Sequence, residues 1–116
     1  MSKMKWIQIE SPKQISKIKD RSQEVPCLIF KHSTTCPISS MAKYRLEGSW
    51  DFADSDIEVY FLDLLRYRSI SNQIAEDFQV HHQSPQIIFI DKGEVQLDAS
   101  HLDISVDEVK SVYKAA

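Results

Sequence analysis

The run Phe30-Lys31-His32-Ser33-Thr34-Thr35-Cys36-Pro37-Ile38-Ser39 joins the end of an apolar strand to a short loop and the start of a helix. Pro37 cannot continue the donor ladder of a strand, but it suits the first turn of a helix. Cys36 therefore lies where unpaired backbone N–H groups and the positive end of the helix dipole favour a thiolate. Position 39, where a dithiol enzyme would carry its second cysteine, holds Ser39. This pattern predicts a redox protein that works with one thiol.

Apolar patterning outward from this run predicts five strands and four helices. The predicted strands cover residues 6–9, 26–31, 57–63, 86–91 and 95–100. The predicted helices cover residues 11–22, 37 to about 52, 71–78 with a start as early as 66, and 105–113. The resulting order, β-α-β-α-β-α-β-β-α, requires parallel crossovers among the first three strands and a hairpin between the last two.

This order matches the thioredoxin fold, in which the nucleophile loop follows the second strand. A second feature supports the match: Ser84-Pro85 directly precedes the fourth predicted strand. Proline cannot donate a hydrogen bond to a sheet, so its presence there indicates a specific structural role. In the thioredoxin fold that proline is cis and lies against the active-site sulfur, so we expect Pro85 to be cis. The sequence thus predicts an α/β protein of thioredoxin-like fold, with a central mixed sheet of about five strands flanked by four helices, and one domain over residues 1–116.

Composition narrows the class of function. The chain has 42% hydrophobic and 27% charged residues, which excludes a disordered chain, and two glycines, which leaves no phosphate-cradling loop. The net charge of −3 argues against nucleic acid as a partner. No apolar run approaches the ~20 residues of a membrane span. The N-terminal residues include lysines but no apolar segment, so we expect no secretory signal peptide. We therefore expect a cytoplasmic protein without a membrane partner, whose two cysteines, Cys27 and Cys36, are free and hold no metal.

The sequence resembles the monothiol bacilliredoxins, thioredoxin-fold proteins of the bacillithiol system. The resemblance lies in Thr35-Cys36-Pro37-Ile38 and in Ser84-Pro85-Gln86 leading into residues 87–90. It implies that Cys36 is the nucleophile and Pro85 the cis-proline. It further implies removal of bacillithiol from S-bacillithiolated client proteins, with bacillithiol as a thiol cosubstrate and no tightly bound cofactor.

The expected reaction is thiol–disulfide exchange, in which the Cys36 thiolate attacks the bacillithiol sulfur and the client thiol leaves. The thiol that regenerates Cys36 comes from free bacillithiol, from another bacilliredoxin or, less readily, from Cys27. Cys27 lies inside an apolar strand, at least a strand length from the active loop, and core packing is the favoured role for it.

Substrate contacts are assigned to Thr35, Pro37, Ser39, Ser84 and Pro85. The hydroxyl groups beside Cys36 can donate hydrogen bonds to its sulfur, although helix capping alone would also explain them. The backbone of Ser84 can pair like a strand with an extended substrate.

Several basic groups lie close to the motif in sequence. Lys31 and a protonated His32 would favour ionisation of Cys36. Lys31 and Arg68 are candidates, by location only, for contacts with the malate carboxylates of bacillithiol, but solvated charge is the favoured interpretation for both. His81 and His82 lie in the loop before Pro85. Because adjacent residues of an extended chain point to opposite sides, the two histidines are poor candidates for a metal-binding pair.

Three other functions are alternatives to this interpretation of the sequence. A carrier of an iron–sulfur cluster would use Cys36 and a small thiol as ligands, but such carriers have Gly-Phe where this chain has Pro37-Ile38. A peroxidase needs an arginine at the sulfur, and none adjoins the motif. A non-catalytic binding module would need neither Cys36 nor Pro85. Client identity, reduction potential and oligomeric state do not follow from the sequence.

Overall fold

A computed structural model, which describes residues 4–115, shows a mixed five-stranded sheet with helices on both faces. The strands are β1 (Ile7–Gln8), β2 (Cys27–His32), β3 (Glu58–Asp63), β4 (Gln86–Asp91) and β5 (Glu94–Ser100). The helices are α1 (Lys13–Arg21), α2 (Pro37–Ser49), α3 (Arg68–Asp77) and α4 (Val106–Ala115), and a 3₁₀ turn covers His101–Asp103. The fold is therefore the predicted α/β class, with the predicted element order.

The strands lie in the order β1-β3-β2-β4-β5. The first three pair in parallel, β4 runs antiparallel to β2, and β5 returns antiparallel to β4. The carboxyl ends of β2 and β3 and the amino end of β4 consequently meet at one edge of the sheet. This edge brings the loop that carries Cys36 next to the loop that carries Pro85.

The central strand β2 is buried along its whole length, as its continuous apolar run predicts. Alternate side chains enter two separate cores because successive residues of a strand point to opposite faces. Leu28 and Phe30 pack in the core beneath α2 and α4, whereas Cys27 and Ile29 pack in the core beneath α1 and α3. The last residue of each alternating set therefore lies at the edge of the sheet that carries the Cys36 loop, one residue on each face.

The end of α2 differs from the prediction. The helix stops at Ser49, and Trp50 already has an extended conformation. Trp50 is buried, and Phe52 packs against it with ring centroids 4.8 Å apart. The two aromatic rings thus contact the core from the following loop, which explains why apolar spacing extended the predicted helix too far.

The other helix ends agree more closely with the sequence. The helix α3 begins at Arg68, near the earlier of the two predicted starts. Ser105 accepts a hydrogen bond from the Glu108 N–H at 3.2 Å, as the capping spacing predicts. No helix within residues 4–115 combines the length and the apolar character that a membrane span requires.

Candidate active site

Cys36 caps the amino end of α2 and is partly exposed. Its backbone is extended (φ −104°, ψ 117°), and its carbonyl accepts a hydrogen bond from the Ser40 N–H at 3.1 Å. The Cys36 N–H donates to the Ser33 carbonyl at 3.2 Å, which closes a tight loop between β2 and α2. No hydrogen bond to the Cys36 sulfur comes from any other residue within 4–115. The sulfur is therefore open to an approaching substrate, next to the positive end of a helix dipole.

Ser39 is completely buried beneath this loop. Its hydroxyl oxygen accepts a hydrogen bond from the Ser33 N–H at 3.0 Å and lies 2.7 Å from the Nδ1 of His32. The position of the second cysteine in a dithiol enzyme is thus filled by a hydroxyl group that fixes the loop. The assigned contact between Ser39 and substrate stays a prediction. Thr35 and Pro37, by contrast, are exposed beside Cys36.

His32 is enclosed by the core on the α2 face of the sheet. The rings of Phe30 and Phe61 lie 5.7 and 5.3 Å from its imidazole, measured between centroids. Burial lowers the pKa of His32, and the nearby Lys43 lowers that pKa further. The expectation that a protonated His32 would support the Cys36 thiolate is therefore wrong. Neutral His32 instead serves as the hydrogen-bond partner of Ser39.

Lys31 has its whole side chain buried on the opposite face, beneath α3. Its Nζ donates to the Ser71 carbonyl at 3.1 Å and lies 3.3 Å from Nδ1 of His82. Burial lowers the pKa of Lys31 to about 8. Solvated charge is therefore the wrong interpretation for Lys31, and its ammonium group is not displayed to a surface ligand. The sequence already indicated this burial. Lys31 lies in a strand predicted to be covered on both faces, and side chains on either face of such a strand are shielded from solvent.

The loop before β4 is held from within by Gln86. The side-chain amide of Gln86 donates to the His81 carbonyl at 2.9 Å, and its oxygen accepts from the Gln83 N–H at 3.3 Å. The Ser84–Pro85 peptide bond is cis, and Pro85 is buried. The main chain of Ser84 makes no hydrogen bond to another residue in the described part of the chain. Its backbone is therefore available to an extended ligand.

The histidines and arginine around this loop take different places. His82 contacts Lys31 and the Ser71 hydroxyl, and burial followed by the charges of Lys31 and Arg68 lowers the pKa of His82. His81 is exposed. Arg68 is also exposed, at the first residue of α3. No group of three His, Cys, Asp or Glu side chains among residues 4–115 is placed to hold a metal ion.

Cys27 lies at the other end of β2 and belongs to the core, as predicted. Its side chain is fully buried, and its sulfur lies 3.4 Å from the Val25 carbonyl oxygen. Burial raises the pKa of Cys27 to about 12, so this thiol stays protonated at neutral pH. Cys36 is consequently the thiol that the fold presents for chemistry.

The fold and the site define a thioredoxin-fold protein with a thiol redox role. Among solved structures, the chain is similar to a thioredoxin-fold protein provisionally described as an oxidoreductase, with 28% identity over 90% of each chain and a TM-score of 0.78. The model of the monothiol bacilliredoxin family BrxC matches residues 7–109, and the chain belongs to this family.

Two thioredoxins share the architecture at lower identity. The thioredoxin of Trypanosoma brucei brucei is 12% identical, with 97% of this chain and 94% of that one covered and a TM-score of 0.72. The Malassezia sympodialis thioredoxin Mala s 13 is 16% identical, with 99% and 93% covered and a TM-score of 0.71. At these identities the likeness shows the fold alone.

Proposed function

We propose that this protein is a monothiol bacilliredoxin that removes bacillithiol from S-bacillithiolated client proteins through Cys36. One observation carries the proposal: the protein has a partly exposed thiol at the start of α2, and the position at which a dithiol enzyme has its resolving thiol holds the buried hydroxyl of Ser39. Membership of the monothiol bacilliredoxin family supports the choice of bacillithiol as the small thiol.

The reaction is a balanced exchange of one disulfide for another. The Cys36 thiolate attacks the bacillithiol sulfur of the client mixed disulfide, a bond forms between these sulfurs, and the client thiolate leaves. The client cysteine is thereby reduced, and bacillithiol remains on Cys36 as a new mixed disulfide. A second bacillithiol thiolate then attacks this disulfide, which releases the Cys36 thiolate and forms bacillithiol disulfide.

The surroundings of Cys36 support both steps. The amino end of α2 stabilises negative charge on a sulfur at its cap, both on the attacking thiolate and when Cys36 is the leaving group. The free main chain of Ser84, beside Pro85, can form strand-like hydrogen bonds with the client segment that carries the modified cysteine. Thr35 and Pro37 border the same opening.

The second step needs a thiol from solution because the chain offers no internal one at the site. Cys27 is enclosed at the far end of β2, where burial keeps it protonated. Ser39 has no sulfur, and its hydroxyl is engaged with His32 and Ser33.

Mass spectrometry of the protein after incubation with a bacillithiolated client tests the proposal. The wild type and Cys27→Ser should each gain one bacillithiol, while Cys36→Ala should gain none and should release no client thiol. Cys27→Ser is the matched control, since it removes the other thiol of the chain. Equal client release by the wild type and Cys36→Ala would contradict the proposed function.

A further inference from the structure

A narrow groove begins beside Cys36 and runs along α2. It lies between this helix and the 3₁₀ turn, has a volume of about 110 Å³, and is lined by Pro37, Ile38, Met41, Ala42, Arg45, His101 and Leu102. Sites for whole drug-sized ligands occupy roughly 300 Å³ or more. The groove is therefore sized for one fragment of a ligand whose remainder lies outside it.

The groove is continuous with the nucleophile. Pro37, Met41 and Arg45 follow one another at a spacing of four residues, so they share one face of α2. At 1.5 Å of rise per residue, Arg45 lies about 13 Å along the helix axis from Cys36. Long side chains on a helix lean toward its amino end, which brings the Arg45 guanidinium closer to the sulfur.

The opposite wall of the groove, formed by the 3₁₀ turn, is also hydrogen-bonded to the active site. The His101 N–H donates to the Pro85 carbonyl at 3.1 Å, so the 3₁₀ turn is hydrogen-bonded to the residue after the cis peptide bond. Leu102, on this turn, is 71% exposed, which leaves its side chain free to cover a ligand. The two walls therefore keep a defined position relative to Cys36.

The charge of the groove selects the kind of ligand. Arg45 is exposed and makes no ion pair or cation–ring contact with any residue in the range 4–115, in contrast to Arg21 and Lys43, which are paired with glutamates. No acidic side chain lines the groove. Asp107 shares an adjoining depression with Arg45 but forms no ion pair with it. A free guanidinium of this kind suits a carboxylate, which it can bind through two parallel hydrogen bonds.

We propose that this groove is the subsite for the carboxylate-bearing part of the small thiol, with Arg45 as its anion-binding residue. This inference rests on the proposed function, because it takes a dicarboxylate thiol such as bacillithiol to be the group on Cys36. The malate carboxylates bind Arg45, His101 offers a ring nitrogen from the other wall, and the intervening carbon atoms lie on Met41 and Leu102. Arg68, on the α3 side of the site, is the rival anion-binding residue.

The test compares two small disulfides that differ in charge. Reduced protein is mixed with bacillithiol disulfide or with uncharged bis(2-hydroxyethyl) disulfide, and the second-order rate of mixed-disulfide formation on Cys36 is measured for each. Arg45→Ala should slow the reaction with bacillithiol disulfide about tenfold and leave the other rate unchanged, since the loss of a charge-assisted hydrogen bond affects the anionic reagent alone. Arg45→Lys keeps the charge but not the two parallel hydrogen bonds, so its rate should lie between those of Arg45→Ala and wild type. Added salt should slow the reactions of wild type and Arg45→Lys with the anionic reagent and leave the reactions with the uncharged reagent unchanged.

Two matched variants complete the design. Lys19→Ala removes one positive charge at the far end of the sheet, beside Gly93, and should change neither rate. Arg68→Ala should also leave the bacillithiol disulfide rate within twofold of the wild type.

The outcomes separate the subsite from the reaction. Equal rates for Arg45→Ala and wild type with bacillithiol disulfide, or equal losses with both disulfides, would overturn the subsite and leave the proposed function standing. A wild type in which Cys36 reacts with neither disulfide would contradict the proposed function itself.

Discussion

The Nδ1 of His32 lies 2.7 Å from the hydroxyl oxygen of Ser39, and both side chains are buried under the loop that carries Cys36. The same oxygen accepts the Ser33 N–H, while the Ser33 carbonyl accepts the Cys36 N–H. A chain of hydrogen bonds therefore runs from the His32 imidazole in the core to the backbone of Cys36. Ser39, at the position of the second cysteine in a dithiol enzyme, therefore holds the loop in place through hydrogen bonds.

We predict that Ser39→Ala lowers the free energy of unfolding by about 1–3 kcal/mol, because it leaves the Ser33 N–H and the His32 nitrogen buried without a partner. Urea unfolding measures the change. Ser40→Ala is the matched control, since Ser40 is the next residue of α2 and is exposed, so its loss should be within about 0.5 kcal/mol. Similar losses in both variants would mean that the buried hydrogen bonds contribute nothing particular.

The two cysteines should differ in their reaction with an alkylating reagent. Iodoacetamide added to the folded protein at pH 8 should modify Cys36 and leave Cys27 untouched, since Cys27 is enclosed and burial raises its pKa to about 12. Peptide mass spectrometry should show one adduct on the native protein and two after unfolding in urea. Alkylation of Cys27 at a comparable rate without denaturant would show that the end of β2 opens readily.

The sequence predicted the strands well because each is a short apolar run with its own boundaries. The observed β4 has the predicted ends, and β2 is displaced by one residue. The end of α2 was misplaced because Trp50 continues the apolar spacing while its backbone has already left the helix. The sequence singled out Cys36 because it precedes a proline at a strand-to-helix junction, which is a local pattern, and the structure places it at the start of α2 as that pattern predicts.

The polar contacts beneath the site could not be predicted in the same way. Lys31 finds its partners in α3 and in the loop before β4, at Ser71 and His82, and no sequence period links residues so far apart. His32 and Ser39 are nearer in sequence, but their contact depends on the tight turn at Cys36. Strand alternation in a sheet covered on both faces indicates that the polar ends of Lys31 and His32 are buried. Only the folded chain shows which groups form hydrogen bonds with them.

Lys31 should make the stability depend on pH in the alkaline range. Its pKa is about 8 in the folded protein and about 10.5 when unfolded, so the unfolded chain binds more protons between these values. The burial penalty is complete below pH 8 and disappears as the pH rises to about 10.5. We therefore predict that Lys31→Met is stabilised relative to wild type at pH 7 and that this advantage shrinks by about 3 kcal/mol by pH 10.5.

Urea unfolding of both proteins at pH 7 and pH 10.5 measures this change, and the difference between them cancels the titration of shared groups. Lys17→Met, at an exposed position on α1, is the control and should show no such trend. A constant difference between wild type and Lys31→Met across the range would contradict a lowered pKa for the buried amine.

Ser39→Cys should convert the protein from a monothiol to a dithiol enzyme. Residues three apart in the first turn of a helix are neighbours, so the introduced thiol can reach the Cys36 sulfur. After Cys36 has taken bacillithiol from a client, the introduced thiolate should attack Cys36, release bacillithiol and close a disulfide across the first turn of α2. Without added thiol, mass spectrometry should show a persistent bacillithiol adduct on the wild type. The variant should instead show loss of the adduct and of two hydrogens.

Ser49→Cys is the matched control for this conversion, because it places an exposed thiol at the other end of the same helix, out of reach of Cys36. It should keep the adduct as the wild type does. The introduced sulfur at position 39 also replaces the hydroxyl that His32 and Ser33 contact, so the variant should unfold at a lower urea concentration than wild type. An adduct that persists on Ser39→Cys would show that the loop holds position 39 away from the nucleophile, and the monothiol chemistry would then depend on geometry as well as on the missing sulfur.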